Sequence, residues 1–138
     1  MGPRLMKQTA RDERTARTQV TERDGGLCVR CLRGDPTNFD HRKNRSQGGL
    51  WSASNGQLLC GSGTTGCHGW VTVHPHQAII DGWAVPGWAD PAEYPAARWF
   101  PTPLNTLRKG WVLLDDMGAV LEVDAAEAEL RMTGRWNE

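Results

Sequence analysis

The chain of 138 residues has no net charge, no internal repeat, no low-complexity tract and no apolar run that approaches the eighteen or so residues of a membrane span. The missing span excludes a helical membrane protein. The polar N-terminus MGPRLMKQTARDERTAR has no apolar signal-peptide core, so the chain is expected to be cytoplasmic, with no membrane partner. Zero net charge excludes a uniformly basic or acidic protein, yet the charge is unevenly placed. Residues 1–50 carry eleven Lys and Arg against six Asp and Glu, and residues 51–138 carry five against ten. A polyanion would therefore meet a basic N-terminal half, although Arg11, Arg14 and Arg17 also fit the solvated face of a helix. The length fits a single domain over 1–138, short enough for a metal to supply much of its stability.

What the chain does have is concentrated in forty-one residues from Cys28 to His68. Four cysteines, Cys28, Cys31, Cys60 and Cys67, bracket an Asp40-His41 pair and Asn55, and His68 follows the last cysteine directly. In a reducing compartment four cysteines point to metal; two disulfides would require export. Cys28 and Cys31 have the two-residue gap of a zinc knuckle, and four thiolates suit a tetrahedral structural Zn²⁺. Cys60 and Cys67 are spaced more widely, by the Gly/Ser/Thr loop Gly61 to Gly66, and His68 is an alternative fourth ligand. Asp and His side chains suit a second, harder divalent ion.

The expected order of elements is α+β. A frayed tail precedes a polar helix over 10–24, with a thin stripe of Ala10, Arg14, Arg17 and Val20. Asp24-Gly25-Gly26 stops it, CVRC forms the knuckle, and Gly34-Asp35-Pro36-Thr37 turns the chain. Asn38 to His41 and Gln57 to Cys60 read as strands joined by a Gly/Ser/Asn-rich loop. His68 opens a helical stretch that Pro75 interrupts and Gly82 ends. Trp83 to Pro86 reads as a strand leaving the motif, and residues 86–108, which hold most of the prolines, as an extended surface arm. Trp88, Trp99 and Phe100 there are expected to cover the core rather than stack on bases. A β-hairpin over Gly110 to Val123 and a helix capped by Asp124 complete the chain.

Taken together, CVRC, FDHRKNRSQGG, SASNGQLLC and GCHGWVTVHP resemble the HNH endonuclease family, especially its small members from bacteriophages and prophages. The resemblance covers roughly residues 12–85. It implies a zinc-stapled, treble-clef-like ββα-metal core over 10–85, with the N-terminal helix before it and the Pro/Trp-rich arm and hairpin over 86–138. The implied activity is metal-dependent endonuclease or nickase cleavage of DNA in a bacterial host cell. For virus-encoded members it also implies a role in genome packaging alongside terminase.

Carried over by motif, His41 matches the general base, Asp40 and His68 the ligands of the catalytic ion, and Asn55 the central Asn. Each role makes chemical sense. A neutral imidazole with a pKa near 6.5 can take a proton from the attacking water, and a carboxylate with an imidazole leaves a divalent ion open to phosphate oxygens. Because adjacent strand residues face opposite sides, Asp40 and His41 converge only where the strand twists or ends. Asn55 can orient His41 through the backbone, ligate the metal, or simply form a turn. Many relatives carry another His four residues after the position of His68; here it is Thr72. His74 lies about 600° around the helix and replaces it only if Pro75 bends the chain. This shortage of ligands favours Mg²⁺ or Mn²⁺, with Ni²⁺ also compatible.

Arg42, Lys43, Arg45 and Gln47 follow the base in a loop suited to DNA phosphates, which position a duplex without reading it. Low sequence specificity is expected, because no reading helix or second domain is visible. Two other readings compete: a non-catalytic, zinc-stapled nucleic-acid-binding module, and a regulatory protein that acts through its Trp- and Pro-rich segment.

Overall fold

A computed structural model describes residues 7–34 and 36–136. The expected turn at Gly34 to Thr37 and most of the expected frayed tail involve residues outside that span. The chain forms α1 (Ala10–Asp24), β1 (Thr37–His41), a 3-10 turn (Arg45–Gln47), β2 (Gly56–Cys60), α2 (Gly66–Val73) and α3 (Pro75–Ile80). There follow β3 (Ala96–Pro101), β4 (Leu107–Leu114), β5 (Val120–Val123) and α4 (Ala125–Met132). This is a mixed α+β architecture with two small antiparallel sheets, β1-β2 and β3-β4-β5.

The start of α1 is held by a capping box in which the Thr9 side chain and the Asp12 carboxylate each accept a backbone N–H. Gly25, at φ 65°, ends it in the left-handed conformation that glycine tolerates best. Its buried stripe is Ala16 and Val20, whereas Ala10, Arg14 and Arg17 of the expected stripe are exposed. Ahead of the helix, Gln8 exchanges two hydrogen bonds with the Trp51 backbone, at 2.8 and 2.6 Å, so the segment is tied down rather than frayed there. The helix seats on β2, where Gly56 leaves room for Val20 and Phe39; a Cβ there would run into both. Arg23 locks this contact by donating to the carbonyls of Ala53 and Gly56, at 2.6 and 2.7 Å, while pairing with Asp24.

In the β1-β2 ribbon Asp40 pairs with Gln57 and His41 with Gly56. Since paired residues share a face and neighbours alternate, Phe39 and His41 lie on the α1 side. Asp40, Gln57 and Leu59 lie on the other, where a cluster of Leu59, Cys28, Cys60, Cys67, Ala78, Trp83 and Ala97 is buried under Trp70 of α2.

Two expectations for the C-terminal half fail. Trp83 to Pro86 is not a strand: the Trp83 and Ala84 N–H groups donate to the Ala78 carbonyl, closing α3. Residues 86–108 are not a surface arm, because β3 pairs along β4 and Tyr94 to Ala97 are buried. The prolines fit because β3 is an edge strand and Pro101 is its last residue, so no ladder hydrogen bond is lost in the sheet interior. Phe100 does pack on the buried Ala96, Val112 and Leu114, and Trp99 is half-buried and donates its indole N–H to the Arg30 carbonyl at 2.9 Å. Trp88 is 62% exposed and covers little. The hairpin and Asp124-capped helix form as expected.

Candidate functional site

The four cysteine sulfurs lie within 4.8 Å of one another, three of the residues buried and Cys31 exposed. A tetrahedral Zn²⁺ with Zn–S bonds of about 2.3 Å sets its sulfurs roughly 3.8 Å apart. The cluster therefore fits a structural zinc ion after a small contraction, and Cys31 and Cys60 already approach to 3.6 Å. Cys28 and Cys31 converge because the Leu32 N–H returns to the Cys28 carbonyl at 2.8 Å, with Leu32 itself in the left-handed region at φ 66°. The wide Cys60 to Cys67 gap closes through reciprocal Ser62 and Thr65 backbone bonds. Gly61, at φ 85°, has no space for a side chain against Thr65. This fold brings the Cys67 N–H to Cys60 Sγ at 3.4 Å.

Electrostatics within the cluster divide the thiols. Burial pushes the Cys60 thiol up, but the Cys67 N–H and the neighbouring thiols outweigh it and bring it down to about 7. Burial raises Cys67 to about 12 against the pull of Arg30, whose guanidinium donates to its sulfur at 3.4 Å. Arg30 is in turn stacked 3.8 Å over the Trp70 ring.

His68, the next residue after Cys67 in the first turn of α2, lies against β1. His68 Nε2 and Asp40 Oδ1 are 2.9 Å apart, so His68 does not replace Cys67 in the thiol cluster. The hydrogen bond to Asp40 raises the His68 pKa against the opposing effect of burial. The other Asp40 oxygen accepts from Gln57 Nε2 at 3.0 Å, and the same amide nitrogen donates to the Trp83 carbonyl at 2.7 Å. Gln57 is fully buried and holds the carboxylate in place. It was missed in the sequence because only the register of β1 on β2 sets it opposite Asp40.

His41 faces the other way. Its ring packs edge-on against Phe39 and Trp51, with centroids 5.2 and 4.3 Å away. Burial lowers its pKa from the usual 6.5; Asp40 opposes that shift, and Arg45 and Arg17 add to it. The buried Nε2 of His41 has no hydrogen-bond partner among the described residues. Among the described residues no side-chain hydrogen bond joins His41 to Asp40 or His68.

Asn55 is buried and fastens the loop. Its Oδ1 accepts the Lys43 N–H at 2.7 Å, and its Nδ2 donates to the Lys43 and Leu50 carbonyls at 3.1 Å each. Both amide hydrogens and one Oδ1 lone pair are spent on backbone, the pattern of a side chain that bridges the loop. His74 stacks on Trp70 at 4.5 Å and bonds its carbonyl, and Thr72 bonds the His68 carbonyl, so neither joins the Asp40–His68 pair.

Arg42 is a correction. It is 2% exposed and donates to the carbonyls of Gly82, Ser54, Pro91 and Tyr94 at 2.7 to 3.0 Å, so it cannot reach a DNA phosphate. Burial lowers its pKa to about 9, which leaves it protonated at neutral pH. Its role is to clamp the loop after β1 onto residues 82–94. Lys43 is half-buried and donates to the Ala89 carbonyl at 2.9 Å, while Arg45 and Gln47 are exposed.

No helix among the described residues is long and apolar enough to cross a membrane. Compared with family models, curated proteins and solved structures, the chain finds no match.

Proposed function

We propose that the protein is a zinc-stapled, metal-dependent endonuclease or nickase of the HNH type, hydrolysing DNA phosphodiester bonds with low sequence specificity. The observation that carries this reading is the Asp40–His68 pair, 2.9 Å apart and braced by buried Gln57. Two donors bound side by side to an octahedral ion at about 2.1 Å stand roughly 3 Å apart, so the separation suits Mg²⁺ or Mn²⁺. The ββα order supports the reading as well: the antiparallel β1-β2 pair leads directly into α2, which carries both Cys67 and His68.

A divalent ion bound there would stabilise charge developing on the phosphate and on the departing oxygen. Asp40 and His68 hold the site, and Gln57 fixes the carboxylate. His41 accepts the proton of the attacking water, a task suited to an imidazole whose burial lowers its pKa and so favours the neutral form. Asn55 sets the loop that carries His41 at its root. Activity beside a packaging terminase in a bacterial cell extends the proposal on the resemblance alone.

A second reading, a non-catalytic zinc-stapled nucleic-acid-binding module, is favoured by the packing of His41 between Phe39 and Trp51, on the opposite face from Asp40. Supercoiled-plasmid cleavage with Mg²⁺, Mn²⁺, Ni²⁺ or chelator tests both. Metal-dependent nicking or linearisation by the wild type, abolished in His68→Ala and reduced about 10²-fold or more in His41→Ala, is expected. DNA binding without conversion under any metal would establish the binding module. Cleavage that survives His41→Ala would remove His41 as the base.

A further inference from the structure

On the α1 side of the ribbon Arg45, already expected to meet DNA, is joined by a second guanidinium group and an indole that carry no assigned role. The Arg17 guanidinium lies 4.8 Å from the Trp51 ring centroid and that of Arg45 lies 5.9 Å from it. The ring also touches His41 at 4.3 Å and Phe39 at 4.9 Å. Trp51 itself is held by the paired backbone bonds with Gln8, so three segments distant in sequence fix one surface.

We propose that Arg17, Trp51 and Arg45 form an anchoring site for a backbone phosphate of a nucleic-acid strand, beside His41. The proposal rests on the nuclease reading for its place in a reaction but not for its binding chemistry. A guanidinium stacked on an indole is oriented through its face, which leaves the in-plane N–H groups to meet an anion. Arg17 gives its Nε to Glu13 at 2.9 Å, while its two terminal nitrogens have no hydrogen bond among the described residues. The Arg45 side chain has neither a hydrogen bond nor an ion pair among them, and both side chains are exposed. A phosphate oxygen can accept from both cations, and an adjoining base or sugar can cover the half-buried Trp51 ring. The site replaces the anchoring role expected of Arg42, whose charge is buried.

The test is fluorescence anisotropy of a labelled 20-base-pair DNA duplex, with the zinc-loaded protein and no other divalent ion, across a series of salt concentrations. Arg17→Gln and Arg45→Gln are each expected to weaken binding several-fold and to lower the slope of log K against log salt by about 0.9. Arg135→Gln, an exposed arginine near the C-terminus, should change neither by more than the general loss of one charge. Arg17→Lys keeps the charge but not the planar stack, and should recover the slope with only part of the affinity. Both Gln variants binding with wild-type affinity and slope would overturn the site. So would displacement of the duplex by inorganic phosphate beyond that caused by chloride at equal ionic strength, which would identify a free-phosphate site. The nuclease reading fails separately: wild type that binds through these arginines yet never nicks plasmid keeps the anchor and removes the enzyme. Plasmid cleavage by Gln variants with unchanged binding removes the anchor and keeps the enzyme.

Discussion

Asp40 and His41 are consecutive residues in one strand, yet they occupy opposite chemical worlds. On the α2 face of the ribbon, Asp40 meets His68 and Gln57 in a polar, hydrogen-bonded cluster that raises the imidazole pKa. On the α1 face, His41 meets two aromatic rings and two arginines, and its pKa falls. The pleat alone separates them: one residue along a strand exchanges a carboxylate partner for an indole. A histidine's chemistry here is set by which helix packs on its side of the sheet.

The largest test of this comparison is zinc removal. Cys67 and His68 are adjacent on α2, so dissolving the thiol cluster should release the α2 face first. Structural zinc sites contribute on the order of 10 kcal/mol. Chelation, acidification that protonates the thiolates, or Cys28→Ser is expected to abolish the cooperative thermal transition. Stoichiometric zinc loss with an unchanged melting curve would break the link between the cluster and the fold.

Arg42 and Arg45 extend the contrast into the loop. Arg42→Ala leaves four carbonyls without their donor in a buried site, and should cost about 3–5 kcal/mol in urea unfolding. Exposed Arg45→Ala should cost less than about 0.5 kcal/mol. Equal effects on stability would show that the loop is not clamped through Arg42.

The smallest effect is the most direct. In zinc-loaded protein with no second divalent ion, NMR titration should find His68 titrating above 6.5 and His41 below it. The signs follow from linkage. The raised His68 favours the folded state fully below 6.5, and that contribution is lost as pH rises through its folded pKa. The lowered His41 opposes it: the unfolded chain binds the proton more readily, so folding weakens as pH falls from 6.5 toward the His41 folded pKa. Coincident titrations would mean that the two faces are not electrically distinct.

Much of the local structure was legible. The α1 boundaries, both ribbon strands, the Pro75 break and the Asp124 cap follow from short-range rules, because capping, turns and alternation involve residues a few positions apart. The prolines of residues 86–108 misled because proline signals an absent donor, while its acceptability depends on whether the strand lies at a sheet edge. The thin stripe of α1 was misplaced for a related reason. With so few apolar residues, only the burial of Ala16 and Val20, with Val20 packed over Gly56, decides which face turns inward.

The sequence by itself determined the side chains available, four cysteines, an Asp-His pair and a following His, and the Cys28–Cys31 and Cys60–Cys67 spacings that local turns close. Tertiary structure alone decided that Arg42 is a buried clamp, that Gln57 braces Asp40, and that Trp51 gathers Arg17 and Arg45 beside His41. Those outcomes depend on strand register and on which helix covers which face. Both arise from burial summed over distant segments, which no local stretch of residues encodes.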